Sequence, residues 1–107
     1  MQRRLPVVPF AIAIMILVAG CESTPLFEEE YARFRSVEIG MTEDRVIELL
    51  GSPWKTHGAG EEYHVDGYAH KDREVTNKVF IYLGSEAIAY VYFDNDLMVE
   101  DVFVGGS

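Results

Sequence analysis

Residues Val37 to Pro53 read VEIGMTEDRVIELLGSP, and this stretch carries both ends of a short helix. Thr42 suits the N-cap, where its hydroxyl accepts an amide proton from the first turn. Glu43 and Asp44 then place negative charge where the helix dipole favours it. Met41 and Val46 occupy the two positions that close a hydrophobic staple. Gly51 provides the left-handed residue that ends a helix, and Pro53 blocks its resumption. Val46, Leu49 and Leu50 fall on one face and require an apolar surface beneath them. A preceding helix, a tight turn and this second helix are therefore expected, in that order.

Upstream, Phe27, Tyr31, Phe34 and Val37 recur at i, i+4, i+7 and i+10, a helical stripe. Thr24 and Pro25 read as its N-cap and first helical residue. Glu28, Glu29 and Glu30 lie in the early turns and Arg33 and Arg35 in the last, as the dipole prefers. The three glutamates read as a solvated helix start rather than a cation site.

Further upstream the pattern changes. Arg3 and Arg4 precede an unbroken apolar run from Phe10 to Ala19, which is shorter than the ~20 residues a membrane-spanning helix needs. It ends in Val18-Ala19-Gly20-Cys21, which resembles the lipobox of bacterial lipoproteins. That resemblance implies a signal peptide over 1–20 and lipid on Cys21 as the new N-terminus, which leaves a tether over 21–26 and a domain over 27–107 whose pattern, taken below, is α+β. Lipidation also accounts for an unpaired cysteine in an exported chain, since Cys21 is the only one. Two or more acyl chains, at ~0.8 kcal/mol per buried CH₂, hold a protein stably at a bilayer. With Glu22 rather than aspartate after the cysteine, the resemblance implies an outer-membrane location, facing the periplasm of a two-membrane bacterium.

Downstream of Pro53, residues 54–60 read as a loop, with Trp54 as a lid over one edge of the core or, less simply, a ligand-stacking ring. Glu61 to Tyr68 alternates as a first strand would, with His64 and Asp66 on one side and Tyr63 and Val65 on the other. Residues 69–74 are polar and read as a loop. Lys78–Leu83, Ala87–Phe93 and Leu97–Val104 are dense in Val, Ile, Tyr and Phe and read as strands joined by hairpins. A three-residue loop at Gly84-Ser85-Glu86 pairs Leu83 with Ala87. On that register Val79, Ile81, Leu83, Ala89, Val91 and Phe93 form an aliphatic seat for the helices. Phe80, Tyr82, Ile88, Tyr90 and Tyr92 form an aromatic surface on the other side. That surface is either a partner-binding site or is covered by residues 69–77 or by self-association. The last strand changes phase, which a bulge would reconcile.

The fold class expected is thus α+β: two short N-terminal helices packed on one face of a three- to four-stranded antiparallel sheet, behind a lipoprotein signal peptide. The chain of 107 residues has a net charge of −9, and removal of Arg3 and Arg4 takes it to −11. Such acidity argues against a nucleic-acid partner. No serine sits in a nucleophile elbow, Glu61 and Glu62 on a strand point to opposite faces, and no Gly-rich loop leads a strand into a helix. No enzyme activity and no cofactor are expected. The chemical exception is a doubled His-x-Asp, formed by His64 with Asp66 and His70 with Asp72, whose side chains are of the types that ligate zinc.

Val37 to Thr42, then Val46, then Leu50-Gly51-Ser52-Pro53 resemble the opening of the BamE (SmpA/OmlA) family of small outer-membrane lipoproteins. Tyr90 to Asp94 with Val99 and Val102 resembles its closing hairpin. BamE is an accessory of the β-barrel assembly machine that helps a partner lipoprotein dock and contacts anionic phospholipid. The resemblance implies a non-catalytic scaffold, anchored through Cys21, that binds another envelope protein by its sheet face or a free edge strand. It departs from the family at Leu97, where a turn glycine is usual, and at His64 to Asn77, which has no counterpart. A small-ligand or metal-binding lipoprotein using His64, Asp66, His70 and Asp72 is the alternative, and an enzyme-inhibitor-like domain a third.

Overall fold

A computed structural model describes residues 26–106; Cys21, Thr24 and Pro25, with residues 1–20, where the sequence pattern predicts a signal peptide, lie outside the described residues. Two helices come first, α1 over Leu26–Phe34 and α2 over Glu43–Leu50. Four strands follow, β1 over Lys55–Gly58, β2 over Lys78–Leu83, β3 over Ala87–Phe93 and β4 over Val99–Gly106. They form one antiparallel sheet in the order β1-β2-β3-β4. None of the described helices is long and apolar enough to cross a membrane.

The ends of α2 follow the local chemistry of the sequence. Thr42 has extended backbone angles and its Oγ1 accepts from the Arg45 amide at 3.1 Å. Gly51 terminates the helix at φ 84°, a conformation that costs a side-chain-bearing residue about 1–2 kcal/mol. Its carbonyl receives the Tyr82 hydroxyl at 2.8 Å, which ties the helix end to β2. Burial pushes the Tyr82 phenol up to about 12. At the other end of α2, Glu43 pairs with Lys78 at the start of β2. Of the stripe expected in the first helix, Phe34 is buried and Phe27 half-buried, but Tyr31 is exposed. Val37 lies beyond the end of α1 and is buried all the same.

Two apolar clusters lie on opposite sides of the sheet. Phe34, Val37, Val46 and Leu50 join Phe80, Tyr82, Ala87, Ala89, Val91, Phe93 and Val99 in the first. Val79, Ile81, Ile88, Tyr90 and Tyr92 join Tyr63 and Val75 in the second. This corrects the expected register of the β2–β3 hairpin. Leu83 pairs with Ile88 and Val79 with Tyr92, and the Gly84 amide donates to the Ala87 carbonyl at 2.8 Å. The loop is therefore Ser85-Glu86, one residue shorter than expected, and a one-residue slip exchanges the partners on both faces.

Glu30 explains the shorter loop. Its carboxylate accepts the amides of Ser85 (2.8 Å), Glu86 (2.9 Å) and Ala87 (2.9 Å) from across the domain. A Cβ on Gly84 would lie 2.5 Å from the same carboxylate and would push it off the amides it accepts. Glu30 is thus a clamp on the hairpin and not, as its position among three glutamates suggested, part of a solvated helix start. Desolvation opposes its ionisation, but the three amides, helped by Arg33, hold the carboxyl below its ordinary value of 4.5. Stability from this group is present in full above that value and is lost as pH falls through the lower folded value. Glu30→Ala should cost about 1–2 kcal/mol in urea unfolding at pH 7, and the loss should shrink towards pH 3.

The other hairpin stores strain. Asp94 Oδ1 accepts the amides of Asp96 (2.9 Å) and Met98 (3.0 Å), and Leu97 is held at φ 62°. Glycine at that position removes the αL penalty and adds back part of it as unfolded-chain entropy. Leu97→Gly should therefore raise stability by about 0.5–1 kcal/mol, read as a higher melting temperature. Beyond this turn β4 begins at Val99, two residues later than expected, and runs on to Gly106. Tyr92 pairs with Asp101 and Phe93 with Val99, so Glu100 is the extra residue of a bulge. The bulge resolves the phase change: Val99, Val102 and Val104 all meet the helix-side cluster while Phe103 meets the other.

Candidate functional site

The side of the sheet away from the helices is covered by residues 59–77. The expected strand over Glu61–Tyr68 is absent; these residues are irregular, and the first strand is Lys55–Gly58 instead, in what was expected to be a loop. β1 takes the free edge of β2, its residues lying opposite Ile81, Phe80, Val79 and Lys78 in turn. The alternation in 61–68 reflects a different arrangement, in which Tyr63 and Val65 reach down to the sheet while Glu62, His64 and Asp66 are exposed.

The aromatic surface expected from Phe80, Tyr82, Ile88, Tyr90 and Tyr92 is therefore not an exposed face. All five are buried, Phe80 and Tyr82 on the helix side and Ile88, Tyr90 and Tyr92 under the covering segment. Register is the reason for the split, and the segment 59–77 is the reason for the burial. Trp54 is half exposed, with the Lys55 ammonium 5.2 Å from its ring centre, and is not a closed lid.

Tyr63 pins the cover. Its ring meets Tyr90 and Tyr92 edge-on at 5.6 and 5.9 Å. Its single hydroxyl proton is shared between the carbonyls of Arg73 (2.6 Å) and Lys71 (3.0 Å), and the Tyr92 hydroxyl, 3.0 Å away, donates to its oxygen. Burial, and the bond to Tyr63, push the Tyr92 phenol far up, so this chain stays protonated at any physiological pH. The Tyr90 hydroxyl is buried with no hydrogen-bond partner of good geometry; burial raises its pKa, and only the Val65 amide eases that shift.

Charge pins the other end of the segment. Arg73 reaches Glu100 (2.5 Å) and Asp101 (3.2 Å), and its guanidinium lies 4.4 Å from the centre of the Tyr92 ring. Lys71 reaches the same Asp101 carboxylate oxygen at 2.6 Å. The extra residue at Glu100 lets consecutive acids of β4 face one arginine. Desolvation works against Asp101 ionising, but Lys71, Arg73 and the Val102 amide hold it below the ordinary 3.8.

Between these anchors sit the chemically distinctive side chains. Of the four expected at a metal site, His64, His70 and Asp72 come together with ligand atoms all within 4.8 Å of one another; Asp66 is not part of the group. The imidazoles of His64 and His70 stack at 3.9 Å, tilted by 27°, and both Nε2 atoms lie 3.8 Å from Asp72 Oδ1. The pairing is made across the loop, not by the i, i+2 alternation of a strand. His64 and Asp72 also line an open cleft of about 580 Å³, with Glu61, Glu62, Tyr63 and Arg73 on its walls. Glu61 is already engaged by the Gly58 amide and by His57 Nδ1 at 3.0 Å, which hold its carboxyl below the ordinary range. Glu62 is open to solvent. Compared with family models, curated proteins and solved structures, the chain matches none.

Proposed function

We propose that the chain is a lipid-anchored envelope protein facing the periplasm from the outer membrane, whose α+β body is a non-catalytic, BamE-like (SmpA/OmlA-like) scaffold for another envelope protein. The observation that carries this reading is Val18-Ala19-Gly20-Cys21 behind two arginines and a short apolar run. The described part of α1 supports it: the chain is already helical at Leu26, five residues past Cys21, a span of at most roughly 17 Å. An acylated Cys21 therefore sets the folded body directly beside the bilayer. The sharing of one buried cluster by Phe34, Val46 and Leu50 with one sheet face supports the two-helices-on-a-sheet architecture of that family.

Because the aromatic residues are buried, the proposed docking element moves to the edge strand β1, whose Lys55 and Thr56 are exposed next to Trp54. Mass spectrometry of the protein from membranes tests the anchor. The expected N-terminal peptide starts at an acylated Cys21, and Cys21→Ser should move the protein out of the membrane fraction. A native product that keeps residues 1–20, or starts at a free thiol, defeats the proposal. For the scaffold role, crosslinking in envelopes should recover a defined partner, and Trp54→Ala should reduce its yield.

A further inference from the structure

We infer that His64, His70 and Asp72 form a binding site for a divalent transition-metal ion of the zinc class, a function separate from anchoring. Two imidazole nitrogens and one carboxylate oxygen are a donor set for zinc, nickel or copper rather than magnesium or calcium, which prefer all-oxygen shells. Both Nε2 atoms approach the same Asp72 oxygen at 3.8 Å, too far for hydrogen bonds, so the three donors surround a gap instead of filling it. Tetrahedral zinc with bonds of about 2.0–2.1 Å separates its ligand atoms by roughly 3.3 Å. Closing the present spacing, up to 4.8 Å between donor atoms, to that value takes movements on the order of an ångström. Asp72, almost fully exposed, is free to turn, and the two partly exposed imidazoles must tilt out of their stack so that their lone pairs converge.

The positions of these residues are fixed by their neighbours. His64 follows Tyr63, whose hydroxyl is bonded to the backbone at Lys71 and Arg73. His70 and Asp72 flank Lys71, which is paired to Asp101, and Asp72 precedes Arg73, paired to Glu100 and Asp101. The loop is thus held in place before any ion arrives, which lowers the ordering cost of binding. On the far side of the His64 ring, Nδ1 lies 3.9 Å from Glu62 Oε1. That carboxylate does not bond the ring as it stands, but the Glu62 side chain is exposed and a turn of it would place the carboxylate on Nδ1–H, the support usual behind a ligating histidine. Three protein donors leave a fourth position open to the neighbouring cleft, so the site suits a reversibly bound ion and not a closed structural one.

Calorimetric titration of the full-length chain, without an affinity tag and in detergent micelles, with zinc chloride tests this. One ion per chain is expected, with a dissociation constant on the order of micromolar for a partly exposed three-donor site. His64→Ala or His70→Ala should weaken it by at least about tenfold, Asp66→Ala should leave it unchanged, and calcium chloride should give no signal. No heat at 100-fold lower to 10-fold higher zinc than about 10 μM, or affinity unchanged in His70→Ala, overturns the site. Proton NMR of the unmutated chain reads the same answer if a variant fails to fold. Zinc should shift the imidazole signals of His64 and His70 and leave those of His57 in place; a response at His57 alone overturns the assignment. A free thiol at Cys21 would bind zinc itself, so Cys21→Ser is titrated alongside; it should bind one ion with unchanged affinity, and this site and the anchoring proposal then stand or fall separately.

Discussion

Tyr63→Ala should lower the stability of the domain by about 3–5 kcal/mol, the range for truncating a buried aromatic side chain. The ring is 6% exposed and fills the space between the covering segment and Tyr90 and Tyr92. Its loss opens a cavity under residues 59–77 and uncovers a tyrosine-rich face of the sheet. Urea unfolding followed by tyrosine absorbance gives the magnitude, and hydrogen exchange should locate the opening in the loop before the sheet. Tyr63→Phe separates packing from bonding: it keeps the ring and leaves the Tyr92 hydroxyl and two carbonyls without a partner, costing about 1–3 kcal/mol. Tyr90→Phe is the contrast. That hydroxyl makes no hydrogen bond of good geometry, only a poorly aligned approach to the Val65 amide, so removing it should be neutral or slightly stabilising. A Tyr63→Phe variant as stable as the parent would show that the hydroxyl network adds nothing.

Arg73→Ala should be the next most costly change, at about 2–3 kcal/mol. The guanidinium is the cation between Glu100 and Asp101, and it also covers the Tyr92 ring. Without it, two adjacent, half-buried carboxylates keep Lys71 and the Val102 amide on Asp101 and Thr76 on Glu100. Their repulsion should raise the Asp101 pKa from its depressed value, so the variant loses less on acidification than the parent does. The sign follows from the depressed folded value: the parent carries this stabilisation above about pH 3.8 and loses it as pH falls further. Arg73→Lys should recover less than half of the loss, because one ammonium does not reproduce a planar fork that reaches two acids and stacks on a ring. Equal acid sensitivity of Arg73→Ala and the parent would rule out the proposed role of the ion pairs.

Three of the four expected donors, His64, His70 and Asp72, lie together, but not for the reason that paired them, and Asp66 lies outside the group. His64, His70 and Asp72 were legible as donors by type. The alternation that placed His64 beside Asp66 on a strand was misleading, because period-2 patterning appears wherever a segment lays every second residue on an apolar surface. Residues 61–68 do so without a strand partner, because the edge beside β2 is taken by Lys55–Gly58. β1 was illegible for the converse reason: an edge strand with exposed Lys55 and Thr56 carries little apolar signal.

What the sequence determined by itself is what depends on neighbouring residues. The ends of α2 at Thr42 and Gly51, and the spans of β2 and β3, follow from side chains within a few positions of the atoms they satisfy. Only the tertiary structure decided which residues share a face. The β2–β3 register turns on whether two or three residues make the loop, and Glu30, 55 residues before Ser85, clamps the amides of the shorter one. The same holds for the covered aromatic face, which depends on Tyr63 and Arg73 meeting Tyr92, Glu100 and Asp101. Such contacts join segments distant in sequence, and no local pattern encodes which distant partner will arrive.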